Sequence, residues 1–133
     1  MDPLPVSAIH ANYANLLGRQ INAGWGAGKM DKIAGLKEIL AVDPRNSFAR
    51  YGMAMELASR GDTASALSEF DKLLTNDPDY TQGYFMAAQT LVRAGRKSEA
   101  MERLKAGVAC ATREGNNHAV SEMQAALDEL QRL

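Results

Sequence analysis

A shift of thirty-four positions relates two neighbouring stretches of the chain, residues 47–80 and 81–114. The four identities between them are Ala54/Ala88, Leu57/Leu91, Gly61/Gly95 and Ala66/Ala100. These identities fall where two antiparallel helices need small residues at their crossing, a leucine beneath it and a glycine at the turn. A repeat of this kind predicts helical hairpins that bury their apolar sides by stacking on one another.

The composition agrees with helices. The chain has 133 residues, of which 46% are hydrophobic but only 6% are aromatic. The β-branched and aromatic residues that fill pleated sheets are therefore scarce, and alanine, leucine and methionine supply most of the apolar mass. A chain of this length is predicted to form one domain with its own core.

Local signals divide that domain into five segments. Prolines in Asp43-Pro44 and Asp77-Pro78 end the second helix of their units, because a proline disfavours helical geometry in the residue before it. The predicted segments are a lead-in at 1–6, a divergent hairpin at 7–46, hairpins at 47–80 and 81–114, and a closing helix within 115–133. Helices are predicted at about 7–23, 30–42, 47–59, 64–75, 80–93, 98–113 and 118–132. The closing helix has an apolar stripe of Val120, Met123, Leu127 and Leu130.

Charge limits the classes of partner. Fifteen basic and sixteen acidic residues give a formal net charge of −1, without the basic excess that nucleic-acid binding needs. Residues 47–80 carry three basic and six acidic side chains, and residues 81–114 carry six basic and three acidic ones. The asymmetry predicts solvated outer faces of opposite sign on neighbouring hairpins, and the alternative is steering of a charged partner.

The N-terminus and the cysteine content indicate a compartment. Residues 1–6 have no basic leader, and no stretch of the sequence is long and apolar enough for a membrane span. Cys110 is the only cysteine, so no internal disulfide can form, and its apolar helical context predicts a buried side chain. We expect a cytoplasmic protein that binds neither nucleic acid nor membrane.

Signals for catalysis or cofactors are weak. Residues 24–29, Gly-Trp-Gly-Ala-Gly-Lys, lack the first glycine of a phosphate-binding loop, where Ala23 stands, and the hydroxyl residue after the lysine, where Met30 stands. His118 and Glu122 have helical spacing, but the other histidine, His10, is far away in the sequence, so a third metal ligand is missing. We expect no enzyme activity, no cofactor and no metal site.

The repeated units resemble tetratricopeptide repeats (TPRs). The first unit supplies Arg50, Met53-Ala54, Leu57, Gly61-Asp62, Ala66, Phe70 and Pro78 at the positions of that pattern. The second supplies Tyr84, Ala87-Ala88, Leu91, Gly95, Ala100 and Leu104, with Thr112 in place of the proline. Residues 11–46 match more loosely through Leu17-Gly18, Ile21, Leu36, Ile39 and Pro44.

The resemblance implies an all-α, right-handed α-α superhelix of about three TPR hairpins with a C-terminal capping helix. It also implies a concave face, built from the first helix of each hairpin, that binds a peptide or helix of a partner protein. Transferred position by position, that face comprises Phe48, Tyr51, Met55, Ala58, Gln82, Phe85, Gln89 and Val92, with Asn116, Ala119 and Met123 from the closing helix. These residues are predominantly apolar.

One subtype of the family grips C-terminal carboxylates with a clamp of basic and amide side chains. The corresponding positions here are Tyr51, Met55, Met86, Asn116 and Val120, which supply no positive charge. Three uses of the apolar face remain open. A partner's apolar segment binds there, two copies bury their faces in a homodimer, or the chain's own terminal helix covers the groove.

The helix crossing within a hairpin gives the first testable prediction. Ala54 and Ala66 are expected to face each other at close range, so Ala66→Leu should overpack the crossing and destabilise the protein by about 1 to 3 kcal/mol. Thermal denaturation followed by circular dichroism measures the loss. An unchanged melting temperature would contradict the predicted contact.

Overall fold

The computed structural model describes residues 29–133, so the predicted helix at 7–23, with Trp25 and His10, lies outside the described residues. The described helices are α1 (Lys29–Val42), α2 (Ser47–Ser59), α3 (Thr63–Asn76), α4 (Thr81–Arg93), α5 (Lys97–Arg113) and α6 (Asn117–Arg132). Each was predicted, and each end lies within one residue of its predicted position. Residues 29–133 contain no strand, and none of their helices is long and apolar enough to cross a bilayer.

Short local interactions fix where the helices begin and end. The side chains of Asn46, Asp62 and Asn116 cap α2, α3 and α6, each accepting a hydrogen bond from the backbone N–H three residues on. At the hairpin turns, Gly61 and Gly95 have φ of 82° and 75°, a left-handed conformation that glycine adopts without steric cost.

The helices pack as a chain of neighbours. α2 packs on α3 and α4 on α5, while α1 packs on α2, α3 on α4 and α6 on α5. The result is the all-α helical repeat superhelix that the sequence predicts. We call α2, α4 and α6 the inner helices and α1, α3 and α5 the outer helices, after their alternating places in the repeat.

The small residues that the sequence predicts at the helix crossings are buried. Ala54, Ala66 and Ala100 are fully buried, and Ala88 is 1% exposed. Around them pack larger side chains, of which Phe70, Leu73, Leu104 and Met123 are among the largest that are fully buried. Cys110 is also fully buried, as predicted, with its Sγ 3.2 Å from Thr81 Oγ1.

The opposite charges of the two hairpins meet across the repeat boundary. Arg103 of α5 pairs with Asp71 of α3, and Arg113 lies 3.2 Å from Asp79. Within the first hairpin, the Ser47 hydroxyl donates to Asp77 at 2.9 Å. Because Asp71, Asp79 and Arg113 are largely exposed, these ion pairs add little stability. The uneven charge distribution of the sequence therefore places acids of one hairpin beside bases of the next.

A glycine within α5 allows the closing helix to dock. A Cβ added at Gly107 would lie 2.8 Å from Tyr84 Cβ and would also collide with Met123 Sδ. Gly52 of α2 has more room, since a Cβ there would meet Leu36 at 3.6 Å, an ordinary contact. Gly52 and Gly107 therefore differ, because a methyl group fits at position 52 but not at position 107.

This difference predicts opposite effects of the same substitution. Gly52→Ala should stabilise the protein by about 0.5 to 1 kcal/mol, because alanine is the better helix former. Gly107→Ala should instead destabilise it by about 1 kcal/mol or more, because the clash outweighs the gain in helix propensity. Urea denaturation of both variants measures the effects. A Gly107→Ala variant as stable as Gly52→Ala would contradict the close packing of α6.

Candidate functional site

Helix geometry separates two sides of α2. Tyr51 and Met55 are four residues apart and project from the same side of the helix. Met53 lies two residues from each of them, so it projects from nearly the opposite side. Met53 is 4% exposed, whereas Tyr51 and Met55 are only half-buried. The side of α2 that carries Tyr51 and Met55 is therefore less buried than the side that carries Met53.

The aromatic residues predicted on α2 lie at the edge of the core. Phe48 is 41% exposed. The ring of Tyr51 meets Phe70 edge-on at 6.5 Å between centroids and Tyr80 at 5.3 Å. Tyr51 is thus half-buried, and its ring packs on the fully buried ring of Phe70.

The residues predicted on α4 surround a cavity. Gln82 and Gln89 are exposed, Phe85 is half-buried and Val92 is 43% exposed. Phe85, Gln89 and Val92 line a cavity of about 330 Å³ between α4 and α6. Its other lining residues are Ala88, Arg93, Leu104, Ala126, Glu129 and Leu130. We call it the α4/α6 cavity.

The residues predicted on α6 need a correction. Met123 is 1% exposed and packs against Gly107, so it belongs to the core and is closed to a partner. Ala119 is half-buried, and Asn116 is engaged as the N-cap. The N-cap residues of α2 and α4, Asn46 and Tyr80, are 34 residues apart. Those of α4 and α6, Tyr80 and Asn116, are 36 residues apart.

The two extra residues shift every inner position of the closing helix. They belong to a longer outer helix, since α5 has 17 residues and α3 has 14. With this step, the residues of α6 equivalent to Gln82, Phe85, Gln89 and Val92 are His118, Ser121, Ala125 and Asp128, all of which are exposed. The predicted stripe of Val120, Met123, Leu127 and Leu130 is the side that packs inward.

Six residues of the α4/α6 cavity were not predicted, and they come from three helices. One sequence signal could have indicated the cavity. The 34-residue shift aligns Phe70 of the first hairpin with Leu104 of the second, so a smaller side chain occupies the same place in the core. The contribution of Ala126 and Leu130 depends on how α6 docks, which the repeat pattern does not specify.

A second cavity of about 610 Å³ lies between α1, α2 and α3. Met53 and Leu57 line it, so it opens on the side of α2 opposite Tyr51 and Met55. Its wall also contains Glu69, whose carboxylate lies 2.6 Å from Arg50 in an ion pair between α2 and α3. This larger cavity is more polar than the α4/α6 cavity and lies outside the inner face.

Burial alters the chemistry of the tyrosines near Tyr51. Desolvation raises the pKa of Tyr80 to about 12, and the nearby Tyr51 and Asp77 add to the rise. Desolvation also raises the pKa of Tyr51. Both phenols are therefore neutral at physiological pH and present an uncharged, largely apolar surface.

No metal site is found in the described part of the chain, where no three His, Cys, Asp or Glu side chains are grouped to hold an ion. His118 Nε2 lies 3.2 Å from Glu122 Oε1, and both side chains are more than half exposed. The spacing noted in the sequence therefore gives a surface pair at the start of α6.

Comparisons with known proteins agree with this architecture. A family model described as Tetratricopeptide repeat matches residues 57–127, which is more than half of the chain. A TPR repeat-containing protein of Pseudomonas aeruginosa is 28% identical over 100 residues, covering 75% of this chain and 95% of that protein.

Solved structures extend the likeness. A tetratricopeptide repeat domain protein from Salinibacter ruber, solved by NMR, is 30% identical, with a TM-score of 0.65 over 68% of this chain and 91% of that one. PcrH, crystallised in complex with the chaperone binding region of PopD, has a TM-score of 0.77 over 99% of this chain and 98% of its own. PcrH is 16% identical, so it supports the fold alone.

The raised pKa of Tyr80 predicts how stability depends on pH. The folded protein keeps the Tyr80 proton up to about pH 12, whereas the unfolded chain loses it near pH 10. The stability that this group contributes is fully present below pH 10 and is lost as the pH rises toward 12. Melting temperatures of the wild type and Tyr80→Phe across this range measure it. The wild type should lose stability faster than the variant, and parallel curves would contradict the burial of Tyr80.

Proposed function

The chain belongs to the tetratricopeptide repeat family, and we propose that it binds a peptide or helix of a partner protein along its inner face. Tetratricopeptide repeats are generally non-enzymatic protein-interaction modules. The inner face is defined by Phe48, Tyr51 and Met55 of α2, Gln82, Phe85, Gln89 and Val92 of α4, and the residues of α6 that border the α4/α6 cavity.

One observation carries the proposal. Val92 is 43% exposed and Phe85 is half-buried, and both lie at the mouth of an apolar cavity. They remain accessible although another side of the same helix, α4, is buried in the core. Covering apolar surface of this kind contributes about 25 cal/mol per Å². A surface that gains free energy when covered, beside an open cavity, favours a bound partner segment.

The chemistry of the face favours an apolar segment over a charged tail. Met55 and Met86 are half-buried beside the core, and methionine side chains adapt to different partner shapes. Asn116, at one position of the family's carboxylate clamp, uses its side-chain oxygen to cap α6. A peptide or amphipathic helix that inserts apolar side chains is the partner that suits these residues.

A solved relative of similar shape supports the same use. PcrH shares the fold over almost its whole length and was crystallised with the chaperone binding region of PopD. We infer that a segment of another protein fits the inner face of this chain. PcrH shares few residues with this chain, so its partner does not identify the partner of this chain. That partner has to be inferred from the chemistry of this chain's own inner face.

A charged substitution on the inner face tests the proposal. Val92→Asp should weaken partner binding about tenfold or more, because an aspartate carboxylate would have to be desolvated beneath the partner. The matched control is Val42→Asp at the end of α1, where the side chain is 87% exposed. Quantitative mass spectrometry of proteins captured on each variant identifies the partners, and titration with each purified partner gives the affinities.

Circular dichroism and sedimentation of each variant show whether a loss of partner binding comes with a change in helical content or in oligomeric state. Both variants should keep the wild-type circular dichroism spectrum, and only Val92→Asp should lose the partner. Equal capture by the two variants would contradict binding through the inner face. Sedimentation of the wild type as a dimer that Val92→Asp dissociates would instead assign the face to self-association.

A further inference from the structure

We propose that the α4/α6 cavity is a subsite that accepts one bulky apolar side chain of the partner segment together with a neighbouring carboxylate. The inference rests on the proposed function and specifies the partner: an acidic segment with an apolar anchor residue. Three observations support it, namely the origin of the cavity, the nature of its wall and the charge at its mouth.

The cavity arises from smaller side chains at repeated positions. In the first hairpin, Phe70 is fully buried and its ring packs against Tyr51. The equivalent residue of the second hairpin is Leu104, which forms the floor of the cavity and is 2% exposed. The 36-residue spacing between α4 and α6 also aligns Thr90 of α4 with Ala126 of α6, which has the smaller side chain. A gap that aromatic packing closes between α2 and α4 is therefore left open between α4 and α6.

The wall of the cavity suits an apolar group. Phe85, Ala88, Val92, Leu104, Ala126 and Leu130 form most of it. Its volume of about 330 Å³ lies at the lower end of the range for ligand pockets, which begins near 300 Å³. Water inside would find few hydrogen-bond partners, because only Gln89, Arg93 and Glu129 bring polar side chains to the cavity. An inserted apolar side chain would displace that water favourably.

The mouth of the cavity favours an acidic neighbour for that side chain. Of its two charged lining residues, Glu129 has a partner in Arg132, whose Nη2 lies 2.7 Å from the Glu129 carboxylate. Arg93 forms no ion pair with any residue that the structure describes. Asp128, the next acid along α6, does not line the cavity and accepts a hydrogen bond from Gln124. Among the residues that the structure describes, the unpaired charge at the mouth is thus positive, and a carboxylate complements it.

A random-peptide library displayed on phage, selected against the full chain, tests the subsite. Peptides enriched on the wild type should carry a large aliphatic or aromatic residue beside an aspartate or glutamate. The best peptide is then synthesised and titrated by fluorescence anisotropy against four variants. Leu104→Phe restores the residue of the first hairpin and fills the cavity, and Ala126→Leu fills it from the opposite wall. Arg93→Gln removes the charge, and Ala106→Leu on the exposed side of α5 is the matched control.

The expected results distinguish the contribution of the apolar anchor residue from that of the neighbouring carboxylate. Leu104→Phe and Ala126→Leu should each weaken peptide binding about tenfold or more, because the apolar anchor loses its place. Arg93→Gln should weaken it about threefold and reduce its salt dependence. Ala106→Leu should bind as the wild type does. Leu104→Phe should also raise the melting temperature, since the inserted ring replaces a void, which distinguishes a filled cavity from a damaged fold.

Other outcomes overturn the inference in identifiable ways. Enriched peptides that bind both cavity-filling variants as tightly as the wild type would exclude the subsite and leave the inner face as the binding surface. Failure of the wild type to enrich any peptide would contradict the proposed function itself. A wild-type dimer that Leu104→Phe converts to a monomer would assign the cavity to a second copy. A small apolar molecule retained by the purified protein in native mass spectrometry would assign it to that ligand.

Discussion

Close contact between the paired helices at fully buried alanines is the constraint on which the rest of the structure depends. Ala54 and Ala66 have no exposed surface, and Ala88 and Ala100 repeat the arrangement one hairpin later. Small side chains let two helix backbones approach, and that approach fixes the rotation of each helix about its axis. Once α2 is held in this way, Met53 packs in the core with Leu36 of α1, and Tyr51 and Met55 lie half-buried at the edge of the main core. The inner face is therefore a consequence of the crossing.

Departures from the repeat create the features that distinguish this chain. Leucine in place of phenylalanine at position 104 leaves a cavity where the preceding hairpin has a packed aromatic ring. The closing helix begins two residues later than the 34-residue repeat predicts, because α5 is longer than α3, so that Met123 enters the core over Gly107. The repeat thus supplies the scaffold, and its irregularities supply the shape of the candidate site.

The sequence predicted the helices closely because the signals that begin and end them are local. Capping side chains such as Asp62, the glycine at each turn and Pro44 all act within a few residues of a helix end. The inner positions on α2 and α4 were expected from the resemblance to tetratricopeptide repeats. Met123 was misplaced because the same repeat was extended past α5, although its own apolar stripe already indicated burial. The α4/α6 cavity was not predicted, since it depends on side chains from three helices meeting in space.

Site-specific photocrosslinking tests the central claim, that a partner segment lies along the inner helices, most directly. Benzoylphenylalanine would be placed at Gln89 on α4 and, in a second protein, at Ala106 on α5, both of which are exposed. Irradiation of the full chain in cells, followed by mass spectrometry, would identify any attached partner. The account predicts an adduct to a partner segment from position 89 and none from position 106. Adducts only from position 106 would place the binding surface on the outer helices and contradict it.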